Sequence, residues 1–127
     1  MEYLLLVYTD AELHEALPED EYGARMRYCL KHADELAQQG RLKAYRQLEA
    51  PDSGRSVRIR QGKTTVLDGP FAETKEVLAG FNLIEADSLE QAVEIAKDIP
   101  WARTGCIEVR PVRDSDKVRR QVGLPGA

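Results

Sequence analysis

Asp68, Gly69, Pro70, Phe71, Ala72, Glu73, Thr74, Lys75 and Glu76 form the stretch in which residue type and spacing come nearest to chemistry. Proline has no N–H to give a strand ladder, so Gly69-Pro70 ends the strand before it, and the proline biases Gly69 toward extended backbone. Asp68 is then expected at a strand end beside a stiff turn, with Phe71 anchoring that turn in the core. A carboxylate so held can serve as a general base or orient a substrate, with Gly69, Pro70 and Phe71 as the substrate-contacting residues beside it. The same carboxylate can instead accept backbone N–H bonds in an Asx-turn and only shape the loop. Glu73, Lys75 and Glu76 read as a solvated ion-pair surface.

Proton partners for Asp68 are few. His14 and His32 are the only histidines, and their spacing matches no common zinc motif. His14 falls in an expected loop beside Glu12 and Glu15. His32 falls on a long helix beside Lys31; a solvated histidine is the ordinary reading there, and an acid or base at a cleft edge is the functional one. Tyr28 and Tyr45 are the other candidates. Arg58, Arg60 and Arg110 are expected on one open face, either solvated and paired to neighbours such as Glu108 or binding an anionic small molecule. No aromatic residues interleave with them, as a single-stranded nucleic-acid surface would require. There is no Gly-x-Gly-x-x-Gly, P-loop or Gly-x-Ser-x-Gly, so the chemistry expected uses no metal or organic cofactor.

The elements that must position these groups follow from periodicity. Met1–Tyr8 reads as a strand. Pro18–Gln39 reads as a helix whose Tyr22, Met26, Cys29, Ala33 and Leu36 make one apolar stripe, stopped by Gly40. Leu42–Leu48 is a strand. Ser56–Arg60 and Thr64–Leu67 form a hairpin around Gln61-Gly62-Lys63. Ala79–Ala86 is a strand, Ser88–Ile99 a helix capped by Ser88 and stopped by Pro100, and Cys106–Val112 the last strand. The order predicts an α+β fold, a ferredoxin-like βαββαβ plan with an extra hairpin. The first strand is apolar on both faces: Tyr3, Leu5 and Val7 point one way, Leu4, Leu6 and Tyr8 the other. A sheet with one wet face should alternate, and there is no third long helix to cover the second face. A homodimer packed sheet to sheet is therefore expected.

The chain has 127 residues, 43% of them hydrophobic and 31% charged, enough for one domain with its own core. Its net charge of −4 argues against non-specific binding to nucleic acid or to an anionic membrane. Tyr3–Tyr8 is too short to span a bilayer and has no basic flank, so a cytoplasmic location is expected. Cys29 and Cys106 are expected to be buried thiols. Residues 1–112 form the expected domain. Residues 113–127 read as a polar, mobile or partner-draped tail; it carries net +2 against −6 for the rest.

"DGPFAETKE" resembles the signature of the DGPF proteins within the YCII-related superfamily. "MEYLLLVY", "AGFNLIEADSLEQAVEIAKDIP" and "IEVRPV" are similar to that family as well. The resemblance implies a ferredoxin-like dimeric α+β barrel. Smaller members are proposed to carry a His/Asp pair in a cleft, which implies work on a small molecule, and related barrels include chloromuconolactone-dehalogenase-like and muconolactone-isomerase-like proteins. Frequent association with extracytoplasmic-function sigma factors implies a regulatory setting. Asp68, Gly69, Pro70 and Phe71 match the motif directly. The histidine does not: its place falls near Tyr28 or Cys29, whereas the helix histidine here is His32. Two functions follow as expectations. One is a cofactor-independent small-molecule enzyme with Asp68 as acid or base, alone or with Tyr28, Tyr45 or His32. The other is a non-catalytic dimeric ligand sensor or regulatory partner, linked to such a sigma factor.

Overall fold

The computed structural model describes residues 1–126. Strand β1 (Glu2–Asp10) runs through the middle of a four-stranded antiparallel sheet in the order β2 (Leu42–Gln47), β5 (Glu76–Glu85), β1, β6 (Gly105–Pro111). Helices α2 (Glu19–Gln38) and α3 (Leu89–Lys97) join these strands, giving an α+β fold. Strand β1 buries one of its two apolar faces within the chain. Tyr3, Leu5 and Val7 are buried with Ile84 against Ala92, Ala96, Ile99 and Trp101, while Leu4, Leu6 and Tyr8 on the opposite face are only half-buried. On that open face Leu4 faces Leu83, Leu6 faces Phe81 and Tyr8 faces Leu78. Among the described residues no helix buries this row of apolar cross-strand pairs.

Helix α2 forms where the sequence requires it. Glu19, Asp20 and Glu21 occupy its first turn, where carboxylates favour the positive end of the helix dipole. At its other end Gly40 takes φ +72°, and Gly40 and Arg41 donate to the carbonyls of Ala37 and Leu36. Helix α3 is capped by Ser88, which accepts from the Gln91 N–H.

Several expectations need correction. The loop expected around His14 contains a short helix, α1 (Ala11–Glu15), because the Asp10 carboxylate caps it by accepting from the N–H groups of Glu12 and Leu13. The tail is not without structure: α4 (Ser115–Gln121) is capped by Asp114; Ala127 lies outside the described residues. Pro100 stops α3 by opening a 3-10 turn, Pro100–Arg103, that buries Trp101 in the core. Cys106 is exposed rather than buried, and Cys29 is only partly covered. No helix among the described residues is long and apolar enough to cross a membrane.

The hairpin stands apart. Strands β3 (Arg55–Arg60) and β4 (Lys63–Asp68) pair only with each other. Their Val57, Ile59 and Val66 are 60–67% exposed, so this ribbon projects as an arm with an uncovered apolar face.

Candidate functional site

The sheet face that carries Tyr3, Leu5 and Val7 does not meet α2 along its whole length. Between α2, from Tyr22 to Ala33, and strands β2 and β5 lies a cavity of about 150 Å³. Its roof is the apolar stripe of α2, including Tyr22, Met26, Cys29 and Ala33, and its floor includes Val7, Gly80 and Asn82. Gly80 lets β2 come close there, since a Cβ would sit 2.6 Å from the Arg46 carbonyl oxygen.

One end of the cavity is aromatic. The rings of His14 and Tyr22 meet edge to face at 5.3 Å, and Trp101 lies 5.1 Å from His14 and 5.7 Å from Tyr22, tilted to both. These separations and angles suit attractive ring contacts. His14 Nδ1 is buried here and has no hydrogen-bond partner among the described residues. Two other buried polar atoms share that condition, Arg25 Nη1 and Thr104 Oγ1, but neither residue lines the cavity. Leaving a buried polar nitrogen unpaired costs about 1–3 kcal/mol; the His14 ring lines the cavity, but this nitrogen is covered by neighbouring protein atoms. The Cys29 thiol, also in the lining, is pushed up by burial, against a smaller opposing effect of a hydrogen bond with the Trp101 side chain. It is a neutral, poorly nucleophilic wall group at neutral pH.

The residues singled out from sequence do not converge. Tyr45 lines this cavity, opposite Asn82 on the neighbouring strand. His32 does not. Its side chain is only 12% exposed, not solvated, because it lies parallel to Tyr28 at 6.3 Å and reaches toward Asp98, Nε2 to Oδ2 at 3.9 Å. Asp68 lies on the arm with its side chain 88% exposed, and it pairs with Arg55 at 3.0 Å. Gly69 is buried but not extended: it adopts φ +77°, donates its N–H to the Gly54 carbonyl and accepts from the Ser56 hydroxyl. A left-handed turn of this kind favours glycine. Pro70 is exposed. Phe71 is 51% exposed and does not enter the core; instead the Arg58 guanidinium stacks over its ring, 3.0 Å from the centroid. Arg60 donates to its neighbour Ile59, and Arg110 pairs with Glu108 on the four-stranded sheet, so the three arginines do not share one face. Lys75 reaches the buried Asp10 carboxylate at 3.6 Å.

Sequence reasoning missed His14 and Trp101 as site residues. The one available signal was Asp10, an N-cap residue type two and three residues ahead of Glu12 and Leu13. Among the described residues, no cluster of three or more His, Cys, Asp or Glu is placed to hold a metal ion.

Residues 1–116 match the YCII-related domain. A relative, an uncharacterized protein of Rhizobium meliloti (strain 1021), is 37% identical over 114 residues, which cover 88% of this chain and 92% of that protein.

Proposed function

The chain belongs to the YCII-related domain family, and from that premise we propose that it binds a small molecule between α2 and the four-stranded sheet and exchanges a proton with it through His14. The observation that carries this reading is the pocket itself, which brings the His14 ring, Tyr45 and Asn82 together among the apolar side chains of α2 and the sheet. Apolar walls with a few convergent polar groups are the common form of a small-molecule site. An imidazole has two ring nitrogens and can both give and take a proton. Tyr45 and Asn82 are the groups in the lining best placed by type to orient the ligand.

A thermal-shift screen of a metabolite library on wild type and His14→Phe tests the proposal. Phenylalanine keeps a ring against Tyr22 and Trp101 and removes both nitrogens. A ligand at about 100 times its Kd stabilises the fold by about 2.7 kcal/mol, so the expected result is a raised Tm in wild type that falls sharply in the variant. Equal shifts in both proteins would remove His14 from the site. Incorporation of deuterium from D2O into that ligand then separates an acid–base enzyme from a non-catalytic sensor, which would bind without exchange.

A specific observation favours one further reading. The open face, with Leu4, Leu6 and Phe81 half-buried and Leu78 exposed, supports pairing of two ferredoxin-like protomers into a dimeric barrel through that face. Asp68, with Gly69, Pro70, Phe71, Arg58 and Arg60 beside it, would contact a ligand only if a second copy brings the arm over a pocket. Light scattering on wild type and Leu6→Lys tests the pairing: a dimer reduced to a monomer supports it, and a wild-type monomer removes it together with that role for Asp68.

A further inference from the structure

We propose that helix α1 is a lid over the aromatic end of the cavity, latched shut by the ion pair between Asp10 and Lys75. The inference rests on the preceding assignment of the cavity as a ligand site and adds how that site opens. Asp10 ties three segments together. One carboxylate oxygen accepts from the N–H groups of Glu12 and Leu13 and so starts α1, which carries His14. The Asp10 N–H donates to the Thr104 carbonyl at 2.9 Å, at the end of the turn that carries Trp101. The other carboxylate oxygen faces Lys75 Nζ at 3.6 Å. The Asp10 side chain is only 6% exposed, and Lys75 is the one cation paired with it among the described residues. A buried charge that loses its counter-charge is strongly disfavoured where it sits. Without Lys75, Asp10 therefore gains by reaching water, and it does so by releasing α1.

The lid is otherwise lightly held. Helix α1 has five residues and none of them is buried; Leu13 is exposed. A single helical turn does not sustain itself. Beyond its Asp10 cap, α1 is held by the His14 ring against Tyr22 and Trp101. The closed position also carries a cost. Three buried side-chain atoms lack a hydrogen-bond partner among the described residues, and two of them, His14 Nδ1 and Thr104 Oγ1, belong to segments that Asp10 joins. Once α1 swings away water reaches both, which offsets part of the packing lost. Segments with few buried contacts open at far lower free energy than the whole fold. Because His14 is part of the lining, its departure widens the cavity at that end.

Amide hydrogen exchange, followed by ¹⁵N NMR on the full-length protein without ligand, tests the lid and the latch separately. Ala16 and Leu17 donate to the Glu12 and His14 carbonyls, so their exchange reports on α1. Leu5 and Ile84 are fully buried, and their exchange reports on global unfolding. In wild type, Ala16 and Leu17 are expected to exchange at least about tenfold faster than Leu5 and Ile84. Low urea is expected to accelerate Leu5 and Ile84 and to leave Ala16 and Leu17 nearly unchanged, because opening the lid exposes little surface. These two comparisons need no variant. Lys75→Met keeps the stem and removes the charge. It is expected to speed exchange at Ala16 and Leu17 about fivefold, while Lys75→Arg keeps the wild-type rates. If α1 and the core exchange at one rate and respond alike to urea, α1 opens only with the whole fold and the lid is overturned. If Lys75→Met speeds Leu5 and Ile84 but not Ala16 and Leu17, the ion pair survives lid opening and is not the latch. Neither result touches the ligand-site assignment, because no ligand is present. A library screen without a stabiliser would remove that assignment and leave the exchange results as they stand.

Discussion

The cavity under α2 and the β3–β4 arm treat their polar groups in opposite ways. In the arm every distinctive group is already engaged near the surface: Asp68 with Arg55, Arg58 with Phe71, the Gly69 carbonyl with Ser56. At the aromatic end of the cavity a histidine nitrogen is buried beside Tyr22 and Trp101 with no hydrogen-bond partner among the described residues. The arm holds the most recognisable run of sequence, and its turn chemistry explains that run: only a glycine takes φ +77° there at no cost, and Ser56 and Gly54 lock it. A conspicuous motif can thus be a structural turn, while a buried histidine nitrogen without a partner among the described residues sits in an inconspicuous five-residue helix.

The largest effect that tests this contrast is at Trp101. It is 5% exposed and belongs both to the core and to the aromatic end of the cavity. Trp101→Ala is expected to cost about 3–5 kcal/mol in urea unfolding; a loss under 1 kcal/mol would mean that the cavity end is not packed as described. Next comes Cys29. Burial holds its thiol above the usual value of 9.0, so the folded chain keeps a proton that the unfolded chain releases. The stability it contributes is fully present below about pH 9.0 and is lost as pH rises through its higher folded value. Cys29 is expected to alkylate far more slowly than the exposed Cys106 at pH 8, read by mass spectrometry; equal rates would place it in open solvent. The smallest effect belongs to Asp68→Asn. Its pair with Arg55 is solvent-exposed, so the change is expected to move stability by no more than about 0.5 kcal/mol. A large loss would show that the arm carries more of the fold than its exposure implies.

Much of the frame was readable from the residues. The double apolar face of β1, the stripe on α2, the Gly40 stop and the Ser88 cap all come from local patterns whose physical cause is local. The stripe even contained the cavity roof, though Tyr22, Met26, Cys29 and Ala33 read there simply as core. Three features escaped. Helix α1 is too short to show a period, so His14 read as loop. Trp101 follows the proline that ends α3, and only the 3-10 turn carries its ring back to Tyr22 and His14. The exposure of Phe71 and Asp68 depends on whether the hairpin joins the main sheet, a tertiary choice that alternation within the hairpin does not encode.

The most direct test of the central claim is a ¹H–¹⁵N map of the whole chain during titration with the strongest stabiliser from the library screen. The account predicts that the shifts concentrate on the Trp101 indole and on the amides of Gly80 and Asn82, with Gly69 and Phe71 unmoved. Shifts confined to Gly69, Phe71 and the rest of the arm would contradict it and return the site to Asp68.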